Sequence, residues 1–229
     1  MNTNNRELIE YLHTFISESR SEQLIENIKY RTRYISVVLE NIYQTQNASA
    51  VLRTCDCFGV QDVHIIENEH DFELNPKVVR GASKWLSLHR YNENTNNTFE
   101  ALSKLKKNGY RIVVTSPHAK QCNFDTFDLE KAKCAFVFGT EMHGVSDTAK
   151  ELADEYFYIP MVGFTESLNI SVSAAVIINH FTRELRKLGI GVLSDSEKEE
   201  IELDWLNKSI KSYDLIVKEY QARIQDVRP

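Results

Sequence analysis

The chain alternates short apolar runs with amphipathic segments over most of its length. Runs of Val, Ile and aromatic residues are typical of strands, whereas apolar residues at every third or fourth position are typical of helices. The predicted strands are 35–39, 62–66, 85–90, 111–115, 134–138 and 156–159. The predicted helices are 47–58, 97–107, 146–153 and a long one that begins near 167–169. This alternation predicts an α/β fold in which helices flank a parallel sheet.

Amphipathic segments also stand at both ends of the chain. Residues 5–30 carry apolar residues at helical spacing, and residues 196–229 mix apolar residues with many charges, as in one or two helices. The sequence therefore predicts three parts: an N-terminal helical extension over 1–33, a sheet domain over 34–190 and a C-terminal helical extension over 191–229.

Composition and charge are those of an ordinary soluble protein. The 229 residues are 42% apolar and 26% charged, and no apolar run approaches the roughly 20 residues that cross a membrane. The N-terminus has no apolar signal region, so we expect a cytoplasmic protein. The net charge of −6 argues against indiscriminate binding to nucleic acid but permits a local basic surface. The four cysteines form no Cys-x-x-Cys, so reduced thiols and no metal site are expected.

Ligands of parallel α/β sheets bind beyond the carboxyl ends of the strands. Four predicted strand ends carry residues that suit this role: 40–41, 115–116, 139–141 and 159–161. The chain has no G-x-G-x-x-G and no G-x-x-x-x-G-K-[ST], so dinucleotide and P-loop sites lack their usual sequence support. The polar stretch 68–84 is expected to be a loop.

Three clusters near these strand ends combine small residues with polar groups. In the first, 47–53, Asn47 is well placed to be a helix N-cap. In the second, 138–144, glycines flank Glu141 in a tight polar loop. The third, 159–169, leads from a strand into the long helix through good N-cap residues. Taken singly, each cluster fits a plain cap or turn as well as a functional site.

In this order the three clusters resemble the signature motifs of the SpoU branch of the SPOUT RNA methyltransferases. The resemblance covers residues 33–188 and points, within that branch, to the tRNA (guanosine-2′-O)-methyltransferase group, the TrmH type. It implies a trefoil knot in the C-terminal part of the sheet domain, a homodimer, and S-adenosylmethionine held bent in the knot cleft. Five residues match the family's cofactor contacts: Thr115, Gly139, Ile159, Met161 and Leu168.

The resemblance also implies methyl transfer to a ribose 2′-hydroxyl, with a guanosine of the tRNA D-loop, position 18, as the expected target. By this analogy Arg53 stands at the reacting hydroxyl as a base. Because arginine is normally protonated, binding the adjacent phosphate is an alternative role. Asn47 would orient Arg53 or the ribose, and Glu141 would fix the loops around the site. Ser167 and Asn169 would shape the cofactor pocket and contact the nucleotide, and Arg53 would serve the partner's cofactor across the dimer interface.

Cations that could hold RNA phosphates lie outside the three clusters. The basic segment 29–33 fits either a solvated helix end or a phosphate-binding patch. Arg183 matches a basic family position, but Leu185 stands where tRNA enzymes often carry a second arginine, and Arg186 follows it. Ribosomal RNA, another tRNA position and a non-catalytic RNA-binding SPOUT protein therefore stay open as alternatives. The predicted RNA-binding residues are Arg31, Arg33, Arg80, Lys84 and Arg183.

Overall fold

One parallel sheet of six strands organises residues 5–227, which are the residues that the structure, a computed structural model, describes. The strands are β1 Ile35–Glu40, β2 Asp62–Ile66, β3 Ser87–Tyr91, β4 Arg111–Thr115, β5 Cys134–Phe138 and β6 Glu155–Phe157. Their order across the sheet is β3-β2-β1-β5-β4-β6, and each neighbouring pair is parallel. The prediction of a parallel sheet flanked by helices is confirmed.

Helices connect the strands and also form both ends of the chain. They are α1 Asn5–His13, α2 Glu18–Ile28, α3 Thr45–Phe58, α4 Pro76–Val79, α5 Asn97–Lys107, α6 Asp147–Leu152, α7 Ile170–Leu188, α8 Asp195–Ser209 and α9 Tyr213–Val227. None of these described helices is both long and apolar enough to cross a membrane. The chain divides into a sheet unit, Thr32–Val192, and a terminal unit, which contains the described residues up to Arg31 and from Leu193 on.

Helices cover both faces of the sheet, so its central strands are buried. Every residue of β1, β2 and β5 is buried. On one face, Leu39 and Phe136 pack in the same core as residues of α3 and α7. On the other face, Val38 and Val137 pack with residues of α5 and α6. Because successive side chains of a strand point to opposite faces, apolar residues at every position serve both cores. The sheet is thus a rigid base for the loops at its carboxyl edge.

The terminal unit is a helical cluster with its own core. Its helix α8 contacts α1, α2 and α9, and α1 also contacts α9. Leu12, Trp205 and Leu206 are at most 1% exposed there. His13 Nε2 and Glu202 Oε1 lie 2.8 Å apart and connect α1 to α8.

The structure differs most from the sequence prediction in three places. Residues 5–30 form two helices, since the Ser17 hydroxyl caps α2 by accepting from the Arg20 N–H at 3.3 Å. The last strand covers only Glu155–Phe157 and ends before Ile159. The expected loop 68–84 contains α4, which Asn75 caps and which begins at Pro76. Proline suits the first position of a helix because its missing N–H would have no helical partner there.

Candidate functional site

The carboxyl ends of β1 and β5 lie side by side in the middle of the sheet, with Leu39 opposite Phe138. From β1 the chain continues to β2 and β3 on one side, whereas β5 is reached from β4 on the other. Such a reversal of strand order opens a crevice at the carboxyl edge, where α/β proteins bind ligands. The chain leaves β1 toward α3 and leaves β5 into the loop 139–146, so the first two sequence clusters meet at this crevice.

Three side chains predicted to be catalytic form one hydrogen-bonded network at this edge. The Asn47 amide donates to Glu141 Oε1 at 2.9 Å, and the Asn169 amide donates to the same oxygen at 2.7 Å. The Asn169 amide also donates to Asn47 Oδ1 at 3.1 Å. Asn169 Oδ1 in turn caps α7 by accepting from the Ser171 N–H at 2.9 Å. One carboxylate therefore joins the start of α3, the loop after β5 and the start of α7.

Asn47 does not cap its helix, so that prediction was wrong. The N-cap position of α3 is Gln44, and Asn47 lies in the first turn with 8% of its surface exposed. Its amide donates to Gln44 Oε1 at 3.0 Å in addition to Glu141. An N-cap side chain must turn back to the backbone of its own helix. Because Asn47 is not at the N-cap position, its side chain can bind other segments of the chain.

The loop that carries Glu141 is a tight turn closed by two backbone hydrogen bonds. Thr140 N–H donates to the Gly144 carbonyl at 2.8 Å, and Gly144 N–H donates back to the Thr140 carbonyl at 2.9 Å. A Cβ atom on Gly139 would lie 2.1 Å from the Gly144 carbonyl oxygen. No side chain fits at that distance, so the turn requires glycine at the end of β5.

A cavity of about 960 Å³ opens at the carboxyl ends of β4, β5 and β6. This volume lies within the range of about 300–1,000 Å³ that is typical of small-molecule sites. Glu141, Ser167 and Asn169 line it, whereas Asn47 and Arg53 are not among its lining residues. All five residues predicted to contact the cofactor are in its walls: Thr115, Gly139, Ile159, Met161 and Leu168.

The cavity wall combines apolar and charged groups. Phe138 and Ile177 add to the apolar surface that Ile159 and Leu168 provide. Lys150 also lines the cavity and donates to Asp147 Oδ1 at 2.8 Å. That hydrogen bond, together with the charge of the carboxylate, holds the pKa of Lys150 above its usual value. Such a wall suits a ligand that has both a flat apolar ring and charged groups.

Arg53 is exposed on α3. Within residues 5–227 its side chain has no hydrogen-bond or ion-pair partner. Asn47, which was expected to orient Arg53 or the ribose, binds Gln44, Glu141 and Asn169. A guanidinium without a structural contact is available to a partner from outside the protomer.

The five cations predicted to bind RNA differ in their surroundings. In the terminal unit, Arg31 is 6% exposed and its guanidinium lies 5.1 Å from the ring centroid of Trp205. In the sheet unit, Arg33 Nε lies 3.3 Å from a carboxylate oxygen of Asp62. These contacts give both arginines a structural role. The exposed members of the set are Arg80, Lys84 and Arg183.

The surroundings of α7 near Arg183 explain why this chain carries Leu185 where the family pattern has a second arginine. Leu185, which stands in the place of a second arginine, is 2% exposed and belongs to the core. Arg186 donates to the Phe58 carbonyl at 2.7 Å and so fastens α7 to the end of α3. Arg183 is therefore the arginine of this segment that an RNA could reach without breaking a contact.

The cysteines have no features of a metal or redox centre. Burial raises the pKa of Cys134 to about 12 and that of Cys122 to about 11. Both thiols therefore stay protonated near neutral pH. Among residues 5–227, no three His, Cys, Asp or Glu side chains come together as metal ligands.

Sequence reasoning gave no specific role to Glu40 or Ser146, which lie next to this site. Glu40 was named only as part of a strand end suited to ligand binding; it is 1% exposed and hydrogen-bonds to Ser146. The available signal was a carboxylate at the end of an otherwise apolar strand, since such a group must find buried partners.

Comparison with known proteins places this geometry in a family. The model of the SpoU rRNA methylase family matches residues 34–179. The chain is 38% identical, over 90% of its length and 92% of the relative's, to the tRNA (guanosine(18)-2′-O)-methyltransferase of Borreliella burgdorferi. It is 33% identical to the enzyme of the same name from Thermus thermophilus, over 84% of this chain and 98% of that one.

A solved structure has a similar fold over most of the chain. It is that of the TrmH/SpoU tRNA modifying enzyme of A. aeolicus, with a TM-score of 0.74 and 28% sequence identity. The match covers 85% of this chain and 98% of that chain. The likeness thus extends along nearly the whole A. aeolicus protein.

Proposed function

Because the chain belongs to the SpoU rRNA methylase family, we propose that it is an S-adenosylmethionine-dependent tRNA (guanosine(18)-2′-O)-methyltransferase. The observation that carries the proposal is the Asn47–Glu141–Asn169 network, because it unites the three family motifs beside one cavity. The choice of guanosine 18 rests on the named activity of the two relatives, which share most of their length with this chain.

The cavity suits S-adenosylmethionine in size and in the character of its walls. Ile159 and Leu168 would enclose the adenine, and Met161 would add to this apolar contact. Backbone groups at Thr115 and Gly139, which end two neighbouring strands, would bind the polar parts of the cofactor. When bound, the cofactor would supply a methyl group on a sulfonium, from which a neutral thioether leaves readily. The well-aligned 2′-hydroxyl would take the methyl group and release its proton to solvent.

Arg53 would act on the target nucleotide by charge. A protonated guanidinium has five N–H donors and no acceptor, which favours binding the adjacent phosphate and the developing negative charge on the 2′-oxygen over accepting a proton. Glu141 would keep Asn47 and Asn169 in place and so align the three segments of the site. Ser167 and Asn169 would shape the edge of the cavity that faces the nucleotide. The contribution of these groups is alignment and electrostatic stabilisation.

The proposal includes a homodimer and the family's trefoil knot in the C-terminal part of the sheet unit. Two features support a dimer. The loop before α7 exposes Val162 and Phe164 completely, and α7 exposes Val172 and Val176 at 46% and 39%. Neighbouring exposed apolar groups mark association surfaces. In addition, Arg53 does not line the cavity of its own protomer. This fits the proposal that Arg53 acts at the cofactor site of the partner protomer.

The RNA would be held by exposed cations of the sheet unit. Arg80, Lys84 and Arg183 are proposed to bind phosphates, a contact that does not depend on sequence. Arg31 and Arg33 would support the fold through Trp205 and Asp62. As a tRNA-modifying enzyme, the protein would act in the cytoplasm.

The test is methyl transfer from labelled S-adenosylmethionine to unmodified tRNA, followed by mapping of 2′-O-methylated nucleotides. We expect one modified nucleotide, guanosine 18, and no transfer to a tRNA with adenosine at that position. Ribosomal RNA and tRNA methylated beforehand at guanosine 18 are the controls. Transfer to ribosomal RNA, or to another tRNA position, would overturn the substrate assignment. Cofactor binding without transfer to any RNA would overturn the enzyme assignment.

A further inference from the structure

Glu40 is a buried carboxylate at the end of β1 with only neutral hydrogen-bond donors. It is 1% exposed. Its Oε1 accepts from the hydroxyls of Thr98 and Ser146, both at 2.6 Å, and its Oε2 accepts from the Ser146 backbone N–H at 2.8 Å. Among residues 5–227 no cation lies within ion-pair distance of it. Lys150 acts on Glu40 by charge at longer range, without an ion pair. Burying a carboxylate without an ion-pair partner costs free energy, which an apolar residue at the end of β1 would avoid.

Two of the three donors belong to Ser146, the last residue of the loop that carries Glu141. Ser146 is also the N-cap of α6, since its hydroxyl accepts from the Ala149 N–H at 3.2 Å. The loop 139–146 is therefore held in three places. Gly139 continues β5, Glu141 binds Asn47, and Ser146 binds Glu40.

Glu40 and Asn47 thus make parallel connections between the same two segments. Both follow the apolar part of β1, and both bind the loop after β5, Asn47 in its middle and Glu40 at its end. With its end fixed at Ser146, the loop is restrained from moving Glu141 away from Asn47, or Gly139 and Thr140 out of the cavity wall. The two connections together define the position of the loop.

We propose that Glu40 is a positioning residue that acts through the loop 139–146. It touches neither the proposed cofactor nor the RNA, and it holds the loop in the conformation in which Glu141 meets Asn47 and Asn169. Its effect on methyl transfer rests on the proposed function; its effect on the loop does not. Thr98 provides a matched control, because it binds the same carboxylate from α5 and is not part of the loop.

The first experiment measures the loop directly by hydrogen exchange in Glu40→Ala and Thr98→Val, at a temperature well below both melting transitions. We expect Glu40→Ala to raise the exchange rates of amides in 140–146 about tenfold or more, as an added local opening would. Thr98→Val should leave them unchanged although it also lowers the melting temperature. Equal exchange in the loop of both variants would overturn the inference. If Glu40→Ala does not fold, the isosteric Glu40→Gln takes its place, with a smaller expected increase.

The second experiment is a double-mutant cycle on turnover with Glu40→Ala and Glu141→Ala. A misplaced site costs about 100-fold in rate, so we expect kcat for Glu40→Ala to fall by about that factor at saturating cofactor. If Glu40 acts through Glu141, the double variant is no slower than Glu141→Ala alone. Multiplying effects, or a kcat of folded Glu40→Ala near that of the wild type, would overturn the positioning role. If the wild type methylates no RNA, the proposed function fails, and the exchange comparison still decides the role of Glu40.

Discussion

The Glu141 carboxylate accepts a hydrogen bond from the Asn47 side chain, which is 2.9 Å away in space and 94 positions earlier in the chain. The two residues follow adjacent strands, β5 and β1, so the bond connects the segments that leave the carboxyl ends of these strands. Because the same oxygen also accepts from Asn169, one carboxylate holds three segments of the site together.

Glu141→Ala should therefore separate activity from stability. Glu141 is exposed, so solvent reduces the contribution of its two hydrogen bonds below the about 1.5–3 kcal/mol that each bond to a charged group contributes, and the melting temperature should fall only modestly. Methyl transfer should fall about 100-fold, because the start of α3 and the start of α7 lose their common partner. Glu151→Ala, at an exposed carboxylate on α6 that does not line the cavity, is the control and should keep wild-type turnover. Similar rates for the two variants would contradict the assignment.

Arg53→Ala should keep the fold and the cofactor but lose methyl transfer. Exposed helical substitutions usually change stability by no more than about 0.5 kcal/mol, whereas loss of a transition-state contact costs about 100-fold or more in rate. Arg53→Lys should rescue poorly, since lysine lacks the planar fork. Cys57→Ala, exposed on the same helix, is the control. Turnover, a melting curve and a cofactor titration are measured together; near-normal turnover in Arg53→Ala would defeat the role.

Gly139→Ala should weaken cofactor binding without unfolding the protein. Its Cβ would meet the Gly144 carbonyl oxygen at 2.1 Å, so the loop has to move away from the cavity. Gly163→Ala is a matched control, because its Cβ would meet nothing within 4 Å and its φ is not positive. Calorimetry with S-adenosylhomocysteine should show binding that is at least about tenfold weaker for Gly139→Ala and unchanged for Gly163→Ala. Equal affinities would remove Gly139 from the cofactor site.

The proposed dimer should dissociate when charge enters its apolar surface. Burying a Phe or Val side chain contributes about 1.5–3 kcal/mol, and a buried unpaired carboxylate costs more than that contribution. We expect the wild type to remain dimeric on dilution and the double variant Phe164→Glu/Val176→Glu to be monomeric by light scattering. Phe99→Glu, at an exposed aromatic on α5, should stay dimeric. A monomeric wild type at assay concentrations would rule out the shared site.

His64 should make the protein less stable as the pH falls below 6.5. Burial, then the charges of His89 and Lys104, lower the pKa of His64 from 6.5 to about 3. Its ring stacks on His89 with 4.6 Å between centroids, and its Nδ1 lies 3.0 Å from the Tyr91 hydroxyl. Between pH 6.5 and 3 the unfolded chain binds the proton that the folded state excludes, so the free energy of unfolding decreases as the pH falls.

The expected size of this effect is about 2 kcal/mol between pH 7 and pH 5. Denaturant unfolding of the wild type and of His64→Gln at both pH values isolates the contribution of this residue. The variant should be less sensitive to acid by about that amount, since glutamine does not titrate. The same pH dependence in both proteins would show that His64 is not the responsible group.

The strands were predictable because the chain buries them on both faces. β1, β2, β4 and β5 begin and end within a residue of the predicted limits, since unbroken apolar runs mark strands that are covered on both sides. Short elements with few apolar residues were not predictable in this way. Pro76 starts a helix of four residues that hydrophobic spacing cannot reveal.

The sequence predicted which residues form the candidate site better than it predicted the contacts that these residues make. The residue type suggested that Asn47 caps a helix, because capping is local, but its observed partner lies in a distant loop. Arg31 and Arg33 were predicted to bind RNA. In the structure the Arg31 guanidinium lies over the Trp205 ring, and Arg33 forms an ion pair with Asp62. Charge along a sequence does not tell whether a tertiary partner exists, and that partner decides whether a cation can face RNA.

The pairing of β1 with β5 has a consequence for the order in which the protein folds. Ile35 of β1 pairs with Cys134 of β5. The strands β1, β2 and β3, which pair with one another, are all synthesised well before β5. Pairings between distant segments form slowly, because a long loop must close before any contact is gained. During synthesis, the nascent chain therefore carries an unpaired edge at β1 until β5 has left the ribosome. We expect the emerging N-terminal half to depend on chaperones during this interval, and ligand binding to begin only after α7 has been made.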